Sequence, residues 1–95
     1  DLATARLELL WKFNDETVQH FTQHYAQRLP INLWRLALWQ VFVGSAALKF
    51  MGDWGLEAKI VNRMERLSKT FIESSAQQVL MLDPETDPSI KPTEF

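Results

Sequence analysis

Hydrophobic and polar positions along the chain divide it into four helical stretches and a tail. Residues 2–13, LATARLELLWKF, carry strong helix formers and neither Gly nor Pro. Leu2, Leu9 and Phe13 share a helical face that Leu7, Leu10 and Trp11 widen, which predicts a short amphipathic helix. Asn14-Asp15-Glu16 is a start signal: an Asn or Asp side chain caps free amides, and acids suit the positive end of a helix dipole. The second helix is expected over about Asp15–Arg28, with Val18, Phe21, Tyr25 and Leu29 as its apolar stripe. Leu29-Pro30 ends it, because the residue before a proline is pushed out of the α region.

The longest apolar segment follows, Ile31–Met51 (INLWRLALWQVFVGSAALKFM), with Asn32 as its expected cap. Gly52 is expected to close this third helix and Asp53 to open the next. The short turn Gly52–Gly55 predicts that helices three and four form an antiparallel hairpin. The fourth helix is expected over Trp54–Leu82, with Leu56, Ile60, Met64, Leu67 and Phe71 on one face and Val61, Ser68, Ile72, Ser75 and Val79 along its edge. The pattern changes at Asp83. The tail DPETDPSIKPTEF has three prolines and four acids against one lysine, too little apolar surface to order itself without a partner. The reading is therefore an all-α chain of three to four helices: a helical domain over 1–82, built on a central hydrophobic hairpin, and an extended Pro-rich acidic tail over 83–95.

Composition narrows this picture. Ninety-five residues make one domain at most, with a modest core. With 46% hydrophobic and 23% charged residues, wholesale disorder is not expected. The net charge of −2 opposes a strong drive toward nucleic acid, although without the acidic tail residues 1–82 stand at about +1. The absence of Cys excludes disulfides, thiolate metal sites and a Cys nucleophile, in keeping with an intracellular protein. Asp1-Leu2-Ala3 shows neither Met nor a signal-peptide pattern, as expected of a processed chain or a fragment.

Candidate chemistry is sparse. Glu16, His20 and His24 lie at helical spacing, but not in the H-E-x-x-H pattern of a zinc site, so a solvated polar face is the expected role. Val43-Gly44-Ser45-Ala46 is not a nucleophile elbow, and three glycines make no phosphate-binding loop. No catalytic residue, metal or cofactor is assigned.

Recognition features are richer. Only Leu36–Leu48 is free of charge, short of the roughly 20 residues that cross a hydrocarbon core. Arg35 and Lys49 at its ends can snorkel, and Trp34, Phe50 and Trp54 suit an interface. A buried hairpin helix, a membrane span and an interfacial segment all stay open. Four tryptophans and the small patch Gly44–Ala47 point to a partner. The expected partner-binding residues are Trp34, Trp39, Gly44, Ser45 and Trp54. Lys59, Arg63 and Arg66 form a basic stripe suited to an anionic surface.

Phe13-Asn14-Asp15-Glu16, Tyr25 through Pro30 and Trp34-Arg35-Leu36 together resemble the segment before the kinase-like domain of UbiB/AarF-type atypical kinases. Leu67-Ser68-Lys69-Thr70-Phe71-Ile72 resembles the start of that family's Leu-Gly-Pro-Thr-Phe-Ile-Lys-x-Gly-Gln motif, with Glu73 in place of the motif Lys and Ser75 in place of its later Gly. The resemblance covers about half of the chain in patches. It implies association with membrane-bound quinone or lipid metabolism, without kinase activity in this chain. The expected function is a non-catalytic helical subunit of a larger, membrane-associated assembly, acting by helix packing and tail docking. Its partners would be protein subunits, with membrane lipid as a further surface. The alternative is a soluble nucleic-acid-binding subunit of a ribonucleoprotein.

Overall fold

A computed structural model describes residues 1–82; the predicted acidic tail lies outside the described residues. The described chain holds four α-helices and no strand: α1 (Leu2–Lys12), α2 (Asp15–Ala26), α3 (Leu33–Phe50) and α4 (Ala58–Met81).

Three of the four helices start by the same device. Asp1, Asn14 and Asn32 each turn a side-chain oxygen onto the amide three residues on, Thr4 at 3.3 Å, Thr17 at 2.8 Å and Arg35 at 3.0 Å. Each bond satisfies a donor that a helix start leaves free. α2 stops before Pro30 as expected, in a last turn where the amides of Arg28 and Leu29 both reach the Tyr25 carbonyl.

The link from α3 to α4 departs from the sequence reading. Gly52 does not close α3, and Asp53 does not open α4. The chain runs on through a 3-10 turn, Met51–Asp53, which carries Met51 into the core at 2% exposure. The left-handed conformation falls instead on Gly55, at φ 75°. Only glycine adopts that conformation without a Cβ penalty, so the turn is made there. α4 then begins at Ala58, four residues later than predicted, behind Glu57, whose side chain makes no capping bond.

α4 packs along α3 in the opposite direction. Trp34 Nε1, near the start of α3, donates to the Val79 carbonyl near the end of α4 at 3.2 Å. Gly44 in mid-α3 faces Ile72, and Met51 after α3 shares a cluster with Met64 early in α4. α1 lies across α3 and α4, while α2 packs on α1 alone. The apolar core gathers Leu7, Ala47, Met51, Met64 and Phe71, with Leu10, Trp11, Val43, Leu48 and Val61 half-buried around it.

The predicted stripes are buried only in part. α2 buries Val18, Thr22 and Ala26, leaving Phe21 and Leu29 exposed. α4 buries Met64 and Phe71 of its predicted face and Ser68 and Ser75 of its predicted edge, while Ile60, and Leu56 just before the helix, are exposed. On α1 the buried pair is Ala3 and Leu7, and Phe13 is exposed. Small residues share the inner positions with Leu7, Val18, Met64 and Phe71, and helices that approach closely favour small side chains at the line of contact.

Candidate interaction face

The preference for small buried residues is strongest on α3, the most apolar helix. Its buried residues are Ala37, Gln40, Gly44 and Ala47, a line at spacings of three and four that holds nothing larger than a glutamine. A Cβ on Gly44 would stand 2.6 Å from Ile72 Cγ1 and 3.2 Å from its Cδ1, so only glycine lets α4 come this close without displacing Ile72.

The opposite side of α3 carries the bulk. Arg35, Trp39, Phe42, Ala46, Lys49 and Phe50 recur at helical spacing and all are exposed, Trp39 at 56% and Phe42 at 60%. The Trp39 and Phe42 rings lie 6.0 Å apart at a 57° tilt, and Lys49 Nζ stands 5.4 Å from the Phe50 ring centre. None of these three aromatics belongs to the apolar core cluster. An aromatic face bounded by one cation at each end has the composition of an interface centre, where large rings supply apolar area at low conformational cost.

At its Phe50 end the face opens into a groove of about 400 Å³ between α1 and α3. Leu7 and Ala47 form its buried floor, and Trp11, Phe50 and Trp54 wall it. Trp11 and Trp54 meet edge to face, 5.9 Å between centroids at 65°, and close one end. Trp11 is fixed further by its indole N–H, which donates to Ser68 Oγ at 2.9 Å. The groove is a mainly apolar slot sized for one large side chain.

The five predicted partner-binding residues fall into two groups. Trp39, Ser45 and Trp54 are exposed, Trp39 on the outer face and Trp54 at the groove. Trp34 is half-buried and bonded to α4, and Gly44 is buried under Ile72. The three residues of the basic stripe are all exposed. Lys59 is exposed, Arg63 donates to the Trp11 carbonyl and so caps the end of α1, and Arg66 lines a different cavity. Phe42 and Trp11 belong to the face and groove without having been singled out for it by sequence, and Phe50, read there as an interfacial aromatic, joins them. For Phe42 the signal was available, since it follows Trp39 by three residues on a helix.

A polar layer crosses the molecule on the other side of α1. Arg6 Nε donates to Gln40 Oε1 at 2.7 Å, and one Arg6 Nη donates to Thr22 Oγ1 at 2.6 Å. Gln40 Nε2 donates to Ser75 Oγ at 2.9 Å, Ser75 to the Phe71 carbonyl at 2.6 Å and Thr22 to the Val18 carbonyl at 2.7 Å. All four helices are joined through these side chains, and no buried side-chain polar atom among the described residues lacks a partner. Burial pushes the Arg6 guanidinium down from its ordinary value, with the Asp15 carboxylate acting in the opposite sense.

Among the described residues no group of three His, Cys, Asp or Glu converges to hold a metal, and no helix is long and apolar enough to cross a membrane. No protein-family model, curated protein or solved structure matches the chain.

Proposed function

We propose that this chain is a non-catalytic helical packing subunit whose α3 outer face and adjoining groove receive an apolar helix of a partner protein in a larger assembly. The observation that carries the reading is the inversion of α3. The most apolar helix turns Ala37, Gln40, Gly44 and Ala47 inward and leaves Trp39, Phe42 and Phe50 in solvent. Exposed aromatics clustered on one helix are the kind of contiguous apolar patch that marks a binding surface. Covering a large apolar side chain of this kind contributes about 1.5–3 kcal/mol. A partner helix lying along Trp39 and Phe42 would reach the groove at Ala46 and place one large residue between Trp11, Phe50 and Trp54.

The antiparallel α3–α4 pair serves as the platform, and the acidic, Pro-rich residues 83–95 dock on the partner beside it. Assembly at a membrane surface is part of the proposal, supported by Arg35 and Lys49 at the ends of the aromatic face. The resemblance to the segment before the kinase-like domain of UbiB/AarF-type proteins fits the same role, a helical element that packs against other protein. The two glycine positions of that family's motif fall here on Ser68 and Ser75, two small residues buried on the inner side of α4.

The test replaces Trp39 and Phe42 by Glu in the full chain. Helical content measured by circular dichroism is expected to stay at the wild-type level while co-purification with the assembly is lost. Retention of the assembly by the folded double variant would remove this face from the function.

A further inference from the structure

Because α2 packs on α1 alone, a gap remains between α2 and α4, and it forms a cavity of about 430 Å³. That volume lies within the range of small-molecule sites. It differs in kind from the groove on the far side of α1. Arg6 lies at its base beside Gln40, and Arg66, Thr70, Ser74 and Gln78 line the α4 side. Two cations face it against one carboxylate, Asp15, and neither arginine forms an ion pair among the described residues.

Arg6 is held in one orientation. Its Nε and one Nη are bound to Gln40 and Thr22, which fixes the plane of the guanidinium. Its other Nη has no acceptor among the described residues and is not buried, since no buried polar atom goes unpaired. A guanidinium offers five N–H donors in a rigid fork, so the free edge presents donors spaced for a carboxylate or phosphate. A partly buried charge hydrogen-bonded only to a neutral amide and a hydroxyl is costly to hold, Asp15 offsets part of that cost without an ion pair, and an oxyanion beside it would offset more.

We infer that the cavity between α2 and α4 binds a small oxyanion, carboxylate or phosphate, with Arg6 and Arg66 meeting the charge. Thr70, Ser74 and Gln78 supply hydrogen bonds to the polar body that carries it. This site is independent of the protein-docking face on α3.

Amide chemical shifts of the full chain, followed by NMR at constant ionic strength, test the inference. The probes are inorganic phosphate and acetate, with chloride as the control anion. Saturable shifts confined to the neighbourhoods of residues 6, 19, 70, 74 and 78 are expected with phosphate, acetate or both, and none with chloride. Response to phosphate alone assigns a phosphate-bearing ligand, and response to acetate alone a carboxylate. Arg66→Gln, an exposed substitution that leaves the fold intact, should weaken binding about tenfold or more, as loss of a charged hydrogen bond does. Lys59→Gln, on the same helix away from the cavity, should leave it unchanged. Linear, unsaturated shifts, or equal weakening by both variants, would overturn the inference. So would a response that emerges only after Asp83, Glu85 and Asp87 are replaced by Asn, Gln and Asn, since the chain's own tail would then be the occupant.

Discussion

The two sides of α3 differ in both residue size and exposure. The inner side is Ala37, Gln40, Gly44 and Ala47, nearly all small, with Gln40 at 3% exposure and bonded to both α1 and α4. The outer side is Arg35, Trp39, Phe42 and Phe50, large and in water. In an isolated bundle the large apolar residues gain most by facing in, so under the proposed function the reversal separates stability from recognition on one helix. Close approach and a polar network hold the fold together, while the aromatics stay available. The interior fits this division: the largest fully buried side chains include only Leu7 and Met51 among the hydrophobics, beside Thr22, Ser68 and Ser75.

Substitutions that act on one side and spare the other can break or sharpen this contrast. The largest effect is expected on the outside. Trp39→Ala with Phe42→Ala should weaken partner binding by about 4 kcal/mol, on the scale of two interface hot spots. The same pair should move the unfolding free energy of the isolated chain, measured in urea, by less than about 1 kcal/mol. If stability falls as far as binding, the two sides are not separable.

On the inner side, Gln40→Ala removes the acceptor of Arg6 and the donor to Ser75. It should lower the unfolding free energy by about 2–3 kcal/mol, read from the same urea transitions. Gly44→Val drives a branched side chain into Ile72 and should cost about 2 kcal/mol. Gly44→Ala should cost less, because a helix gains about 1 kcal/mol when alanine replaces glycine, which offsets part of the displacement of Ile72. The smallest effect belongs to a pair on neither side. Lys69 Nζ lies 3.1 Å from Glu65 Oε1 on the open surface of α4, and Glu65→Gln should change stability by only about 0.3–0.5 kcal/mol.

What the sequence made legible were features set by a few adjacent residues. Asn14 and Asn32 announce their helix starts, Pro30 the stop before α3, and the all-helical architecture with four helices follows from the periodic segments. Facing was less legible. Ile60 on α4 and Leu56 just before it, with Phe21 on α2 and Leu29 just after it, carry a strong hydrophobic signal yet are exposed, while Ser68, Ser75, Thr22 and Ala26 are buried beside Met64, Phe71 and Val18. Periodicity weighs hydrophobicity, whereas a close helix crossing selects for small volume, and the two criteria point about one residue apart. The polar layer was hidden for another reason. Arg6, Thr22, Gln40 and Ser75 are separated by up to 35 residues between bonded pairs, so only the assembled register brings them together. A glutamine in the middle of the most apolar helix was the one trace of it.

The most direct test of the account is site-specific photo-crosslinking in the intact assembly, with a photoreactive phenylalanine analogue placed at Phe42 and, in a second chain, at exposed Gln23 on α2. The account predicts a single discrete adduct to one partner protein from position 42 and none from position 23. Equal labelling from both positions, or no adduct from position 42, would contradict it.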